Sequence, residues 1–182
     1  MGLDRYMTTK DAQPLADYLR VADDVILGQD VQLSAFVNAY GCTIGERTKV
    51  GAFVEIQKDV TIGPDCKISS HTFVCEGVTL GRGVFVGHGV IFTNDRFPAA
   101  CTEDGTLKTS EDWQAIPTVV EDSASLGSGC TILCGVTIGA HSLIGAGSVV
   151  VRSVPPREVW AGNPARFLRG MDPQTSGGQP CR

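Results

Sequence analysis

The sequence predicts an all-β fold, a parallel β-helix wound from six-residue segments. Three observations predict it. An aliphatic residue recurs at every sixth position, a small or β-branched residue sits four positions after each one, and glycine commonly follows the aliphatic residue directly. A period of six fits neither the three-and-four spacing of an amphipathic helix nor the alternation of a half-buried strand. It fits a coil of short strands, each sending one aliphatic side chain inward, with a corner every six residues.

Stepping from Ile44, the aliphatic series is Ile44, Val50, Ile56, Ile62, Ile68, Val74, Leu80 and Val86. It restarts in phase at Val120 and runs through Leu126, Ile132, Ile138, Ile144 and Val150. The companion series holds Thr48, Val54, Val60, Cys66, Thr72, Val78, Val84 and Val90, then Ala124, Cys130, Val136, Ser142, Ser148 and Val154. With 22 glycines the chain exceeds the usual share of roughly 7%. Such enrichment suggests many tight turns, because glycine visits positive φ without steric cost. Three hexads close one triangular turn, so residues 18 apart are expected to stack in one column.

Upstream, Val25, Val31 and Val37 keep the step, and one extra residue then shifts the phase to Ile44. Residues 25–43 are therefore expected to form a first, irregular coil that caps the core, opening a β-helix domain over 25–170. Residues 1–24 read as an N-terminal arm, with Leu15–Arg20 either a helical turn or two after Pro14 or part of a loose arm. Residues 94–118 are polar and lack the repeat, which marks a long excursion at one corner, the usual place for function in a solenoid. Residues 171–182, ending Thr-Ser-Gly-Gly-Gln-Pro-Cys-Arg, have the composition of a flexible tail.

Composition excludes several classes. A formal charge of −5 argues against a nucleic-acid surface. No apolar run approaches the roughly 20 residues that span a bilayer, so no membrane partner is expected. The arm, residues 1–24, lacks the apolar stretch of a secretory signal. Seven cysteines, an odd number without CxxC spacing, read as reduced thiols in a cytoplasmic protein, several of them small apolar fillers.

The pattern resembles the hexapeptide-repeat acyltransferases over roughly residues 25–170, which implies a left-handed parallel β-helix. Three stretches narrow the resemblance. They are Val-Phe-Val-Gly-His-Gly-Val-Ile-Phe-Thr-Asn-Asp-Arg-Phe-Pro at 84–98, Pro-Thr-Val-Val at 117–120, and Val-Pro-Pro-Arg-Glu-Val-Trp-Ala-Gly-Asn-Pro-Ala-Arg at 154–166. The first looks like the nucleotide-sugar 3-N-acetyltransferases, which acetylate the amine of a dTDP- or UDP-linked amino sugar from acetyl-CoA. That likeness implies acetyl-CoA as acyl donor, no metal, and a homotrimer with active sites between subunits. It also implies Asn94 as the residue that orients the amine, although Asn94 reads equally as a turn residue leaving the coil.

Other candidates follow around it. Glu76 lies one column step before Asn94, where it attracts an ammonium group or is simply solvated. Asp95 holds the amine or a sugar hydroxyl, or caps the excursion. His88 reads as a catalytic proton acceptor or sugar ligand, with His71 near it on the adjacent coil and His141 alone, so no zinc triad is expected. The subfamily often has Arg after Phe-Pro; here Pro98 is followed by Ala99, so either another residue such as Arg96 makes the substrate contact or the substrate differs. For CoA the resemblance implies a groove beside the later coils, with Gly135, Gly145, Ala146 and Gly147 near the pantetheine arm and Arg166 at a phosphate. Two alternatives stay open: O-acetylation of a sugar by a histidine base, and a catalytically silent β-helix that only binds.

Overall fold

In the computed structural model, which describes residues 7–8 and 18–171, nearly every coil strand is two residues long. The first residue of each pair points outward and the second inward, as the alternation of a strand requires. The coil strands stack in parallel into three sheets, the faces of a triangular prism, with Met7–Thr8 and Ala165–Gly170 added antiparallel at the two ends of the first. The first face includes Lys49–Val50, Lys67–Ile68 and Phe85–Val86; the second Glu55–Ile56, Phe73–Val74 and Ile91–Phe92; the third Thr61–Ile62, Val78–Leu80 and Thr118–Val120. This is the all-β, hexapeptide-repeat solenoid that the sequence predicts, and it fits a left-handed β-helix.

Register follows the column rule. Lys49 pairs with Lys67 and Lys67 with Phe85, one column step each time. Every aliphatic lead from Ile44 to Val150 is buried, and so is every companion from Thr48 to Val154. The polar companions also reach across coils. Thr48 Oγ1 donates to Gly63 C=O at 3.0 Å, and Thr72 Oγ1 to Gly87 C=O at 3.1 Å. The Cys66 and Cys130 thiols donate to Gly81 and Gly145 carbonyls at 3.0 and 3.1 Å. Cysteine is thus a weak donor here as well as a filler.

Burial pushes the Cys42 thiol up to about 11 and the Cys75 thiol up to about 12. Cys101 is the exposed thiol among the described residues. In the folded protein, Ellman's reagent should therefore label Cys101 while Cys42, Cys66, Cys75, Cys130 and Cys134 react only after denaturant is added. Rapid labelling of those five in the native state would contradict this packing.

Two expectations are corrected. Val31 and Val37 are buried companions; the leads of that coil are Leu33 and Ala39, on strands Gln32–Leu33 and Asn38–Ala39. The phase change is a corner one residue short, turned at Gly41 with φ of 58°, and pairing across it drops to 17, as in Gln32 with Lys49. The parallel coil also starts earlier, since Arg20–Val21 pairs with Asn38–Ala39. Residues 1–6, 9–17 and 172–182 lie outside the described residues, and with them most of the expected arm and tail.

The second correction concerns only the glycines that directly follow an aliphatic lead, since others, among them Gly41, Gly89 and Gly129, do take positive φ as expected. Positive φ falls two residues after those that follow an aliphatic lead: Gly45, Gly51 and Gly63 precede Arg47, Phe53 and Asp65 in this way. The leading glycines answer instead to crowding between coils: a Cβ on Gly45 would stand 2.5 Å from the carbonyl carbon of Gly63.

Candidate active site

The excursion leaves the corner between the second and third faces, after strand Ile91–Phe92, and returns to Thr118–Val120. Val86 still pairs with Leu126 across it, so the excursion lengthens one turn and leaves the register intact. Its neck is closed by Ile116 N–H donating to Asn94 C=O at 2.9 Å. Asp95 Oδ1 accepts from Phe97 N–H at 2.8 Å and turns the chain outward. Beyond it Cys101 bridges Leu107 across a tight bend, and Ser110–Asp112 forms a 3₁₀ turn. That turn is capped reciprocally, Thr109 Oγ1 accepting from Glu111 N–H and Asp112 Oδ2 from Thr109 N–H at 2.7 Å. The Thr109 donors hold the Asp112 carboxyl below its ordinary value.

Folded this way, the excursion and the corner together form an open cleft of about 680 Å³, within the range usual for small-molecule sites. Its floor is the column Lys58, Glu76 and Asn94; Lys108, Thr109 and Trp113 form the excursion wall. Lys58 Nζ stands 3.4 Å from Glu76 Oε1, so the Glu76 charge is partly offset inside the column. The Asn94 carboxamide makes no hydrogen bond among the described residues, which leaves its oxygen available to an incoming amine. Sequence reasoning missed Lys58 and most of the excursion wall, Lys108 and Trp113 among it. Lys58 lay within its reach, one column step before Glu76; Lys108 and Trp113 did not, because the excursion follows no repeat.

The histidines lie elsewhere. His71 is on the corner between the first and second faces, at φ of 61°, stacked on Phe53 with 5.0 Å between ring centroids. His88 is on the next coil, its ring Nδ1 2.9 Å from Ser70 Oγ and its backbone N–H donating to Ser128 Oγ at 3.1 Å. The strands of the second face separate both from the Asn94 cleft. The chain thus brings His71 to His88 and Glu76 and Asp95 to Asn94, but it does not join the two groups.

The residues expected at CoA also divide. Arg96 Nη2 would lie 3.1 Å from a Cβ on Gly135, so the Arg96 guanidinium and Ile116 cover that glycine on the excursion corner. Gly145, Ala146 and Gly147 sit on the histidine corner, where a Cβ on Gly147 would meet nothing within 4 Å. The closing hairpin, Glu158–Gly162 with Ala165–Gly170, pairs Arg166 with Ala161, whose Cβ packs on Gly145. Arg166 therefore belongs with Gly145–Gly147, and its Nη1 donates to Ala165 C=O at 3.0 Å. Among the described residues no group of three His, Cys, Asp or Glu side chains stands as a metal would require.

Comparison with known proteins agrees with the repeat. Residues 41–76 and 117–152 match the family model described as bacterial transferase hexapeptide (six repeats). The bifunctional protein GlmU of Heliobacterium modesticaldum is 36% identical over 136 residues, which is 75% of this chain and 25% of that protein. GlmU of Thermotoga maritima is 32% identical over 149 residues, 82% of this chain and 28% of that one. The chain thus spans about a quarter of the curated relatives it matches. Among solved structures, AntD, an N-acyltransferase from Bacillus cereus in complex with dTDP and 3-hydroxybutyryl-CoA, superposes with a TM-score of 0.72. At 17% identity it covers 94% of this chain and 93% of its own, a likeness of fold. A hexapeptide-repeat-containing acetyltransferase from Vibrio cholerae superposes with a TM-score of 0.52 at 25% identity, covering 81% of this chain and 74% of its own. By its repeats, its coil register and these likenesses, the chain carries the bacterial transferase hexapeptide repeat and is similar to the hexapeptide-repeat acyltransferases.

Proposed function

We propose that the protein transfers an acetyl group from acetyl-CoA to the amine of a nucleotide-linked 3-amino-3-deoxy sugar, dTDP- or UDP-linked. The observation that carries this reading is the open cleft over the Lys58–Glu76–Asn94 column, lined by an Asn94 whose carboxamide is uncommitted among the described residues. AntD supports the substrate class, since one of its structures holds dTDP-4-amino-4,6-dideoxyglucose and coenzyme A.

In this scheme Asn94 Oδ1 accepts a hydrogen bond from the neutral amine and aims its lone pair at the thioester carbonyl. The C–N bond forms, the tetrahedral intermediate collapses with loss of the C–S bond, and the CoA thiolate leaves. The proton shed by nitrogen passes to solvent or to that thiolate. A neutral amine is nucleophilic enough that no strong base is needed, in contrast to a sugar hydroxyl. The homotrimer with sites between subunits belongs to the same proposal, because only a second copy would bring His88 or Arg166 toward the Asn94 cleft.

The test is release of CoA thiol from acetyl-CoA in the presence of dTDP- and UDP-linked amino sugars, with the corresponding hydroxyl sugars as controls. Release with amino sugars alone is the expected result. Release with hydroxyl sugars that disappears in His88→Ala would establish O-acetylation instead, and acetyl-CoA binding without release from any sugar would favour the silent module. An active preparation that sediments as a monomer would remove the inter-subunit arrangement.

A further inference from the structure

The corner between the first and second faces carries a ladder of rings, one per coil. Tyr18 meets Phe36 edge-on at 5.3 Å, Phe36 stacks on Phe53 at 4.7 Å, and Phe53 stacks on His71 at 5.0 Å. Phe36, Phe53 and His71 all take positive φ, a conformation bulky residues seldom adopt. The next rung of the column is Gly89, at φ of 65°, and a Cβ there would meet nothing within 4 Å. Gly129 and Gly147 continue the column and are equally open. One face of the His71 imidazole is covered by Phe53; the other looks along the column toward an empty rung.

Beside this corner, on the first face, lies a cavity of about 500 Å³. Lys49, Lys67, Ser69, Ser70 and His88 line it, and among the described residues its lining contains no carboxylate. That is notable in a chain with a formal charge of −5, and it contrasts with the Asn94 cleft, which contains Glu76 and Asp95. Ser69 is buried in the cavity wall, and Lys67 Nζ sits 5.8 Å from the Phe85 ring centroid. Ser70 and His88 join cavity to slot directly, since each precedes a rung of the ladder, His71 and Gly89.

We propose that this cavity and the open rung above His71 form a binding site for a base carrying phosphates, specifically the nucleoside diphosphate of the acceptor. A planar ring continues the ladder on His71, and the phosphates meet the lysine ammoniums and serine hydroxyls. The inference rests on the proposed reaction only for the identity of the nucleotide. The adenosine 3′,5′-bisphosphate portion of CoA has the same chemistry and is the competing source.

Isothermal titration of the full chain with UDP, dTDP and adenosine 3′,5′-bisphosphate separates them, using wild type, Lys67→Ala and Gly89→Phe. Gly89→Phe fills the empty rung at a φ that Phe36 and Phe53 already hold, and Lys67→Ala keeps the test valid if that variant folds poorly. UDP or dTDP should bind wild type, lose about tenfold or more in Lys67→Ala, and lose measurable binding in Gly89→Phe, while the bisphosphate is unaffected. Unchanged nucleoside-diphosphate affinity in a folded Lys67→Ala overturns the site, as does wild type that binds neither nucleotide. Loss of the bisphosphate alone assigns the cavity to the acyl donor and overturns the acceptor assignment. Acetyl transfer with an unaltered acceptor KM in Lys67→Ala sinks this inference and leaves the proposed reaction standing. Lysine-dependent nucleotide binding without any transfer does the reverse.

Discussion

Asn94→Ala should lower kcat for amine acetylation by about 10²-fold while leaving acetyl-CoA affinity nearly unchanged. The magnitude is that of removing one oriented hydrogen-bonding group from a transition state. The split between kcat and binding follows from geometry: Asn94 lies in the excursion cleft, whereas Gly145, Ala146, Gly147 and Arg166 are on another corner. The fold should tolerate the change. Asn94 contributes its backbone C=O, not its side chain, to the excursion neck at Ile116, so stability should fall by no more than about 0.5 kcal/mol. Parallel measurement of kcat, acetyl-CoA Kd and melting temperature checks all three statements. Wild-type turnover in Asn94→Ala removes the carboxamide from the reaction. A large drop in melting temperature would show instead that the residue acts by holding the neck.

How much of this was legible beforehand depends on whether the repeat governs the residue in question. From Ile44 onward each lead and each companion is buried because one inward position recurs with the coil, and that recurrence is written in residue type. Before Ile44 the same logic misassigned the columns. Val31 and Leu33 are both aliphatic and both face inward, so residue type alone does not say which one leads. Only the short corner at Gly41, visible in the pairing of Gln32 with Lys49, resolves the phase.

The site divides along the same line. Glu76 beside Asn94 follows from the column rule, and so does Lys58. The distance of His88 from Asn94 was equally readable, because six residues carry the chain to the next corner of the prism. Lys108 and Trp113 were not readable. They reach the cleft through a capped turn and a tight bend whose direction is fixed by local hydrogen bonds, such as Asp95 to Phe97 N–H, and by no period. Glycine was legible in part: glycines such as Gly41 and Gly89 do turn the chain at positive φ, but those directly after an aliphatic lead relieve crowding from the neighbouring coil, which residue type does not distinguish.

That crowding sets the second large effect, expected for Gly63→Ala. A Cβ at position 63 would lie 2.6 Å from both the carbonyl carbon and the oxygen of Gly81, and neither is a side chain that can swing aside. Nor can the coil lift away locally, because Gly63 N–H donates to Leu80 C=O at 2.8 Å and Thr48 Oγ1 donates to Gly63 C=O. Strands in one sheet stand about 4.8 Å apart, so the added methyl group forces two coils apart at a point where both backbones are pinned. Overpacking of this kind costs about 3 kcal/mol, which for a chain of this size lowers Tm by roughly 6–12 °C. The control is Gly129→Ala, where φ is 72° but a Cβ meets nothing within 4 Å. There only the left-handed backbone is penalised, by about 1–2 kcal/mol. Thermal melts of the two variants decide the matter: equal losses would mean that conformational freedom, not the approach of Gly81, is what Gly63 supplies.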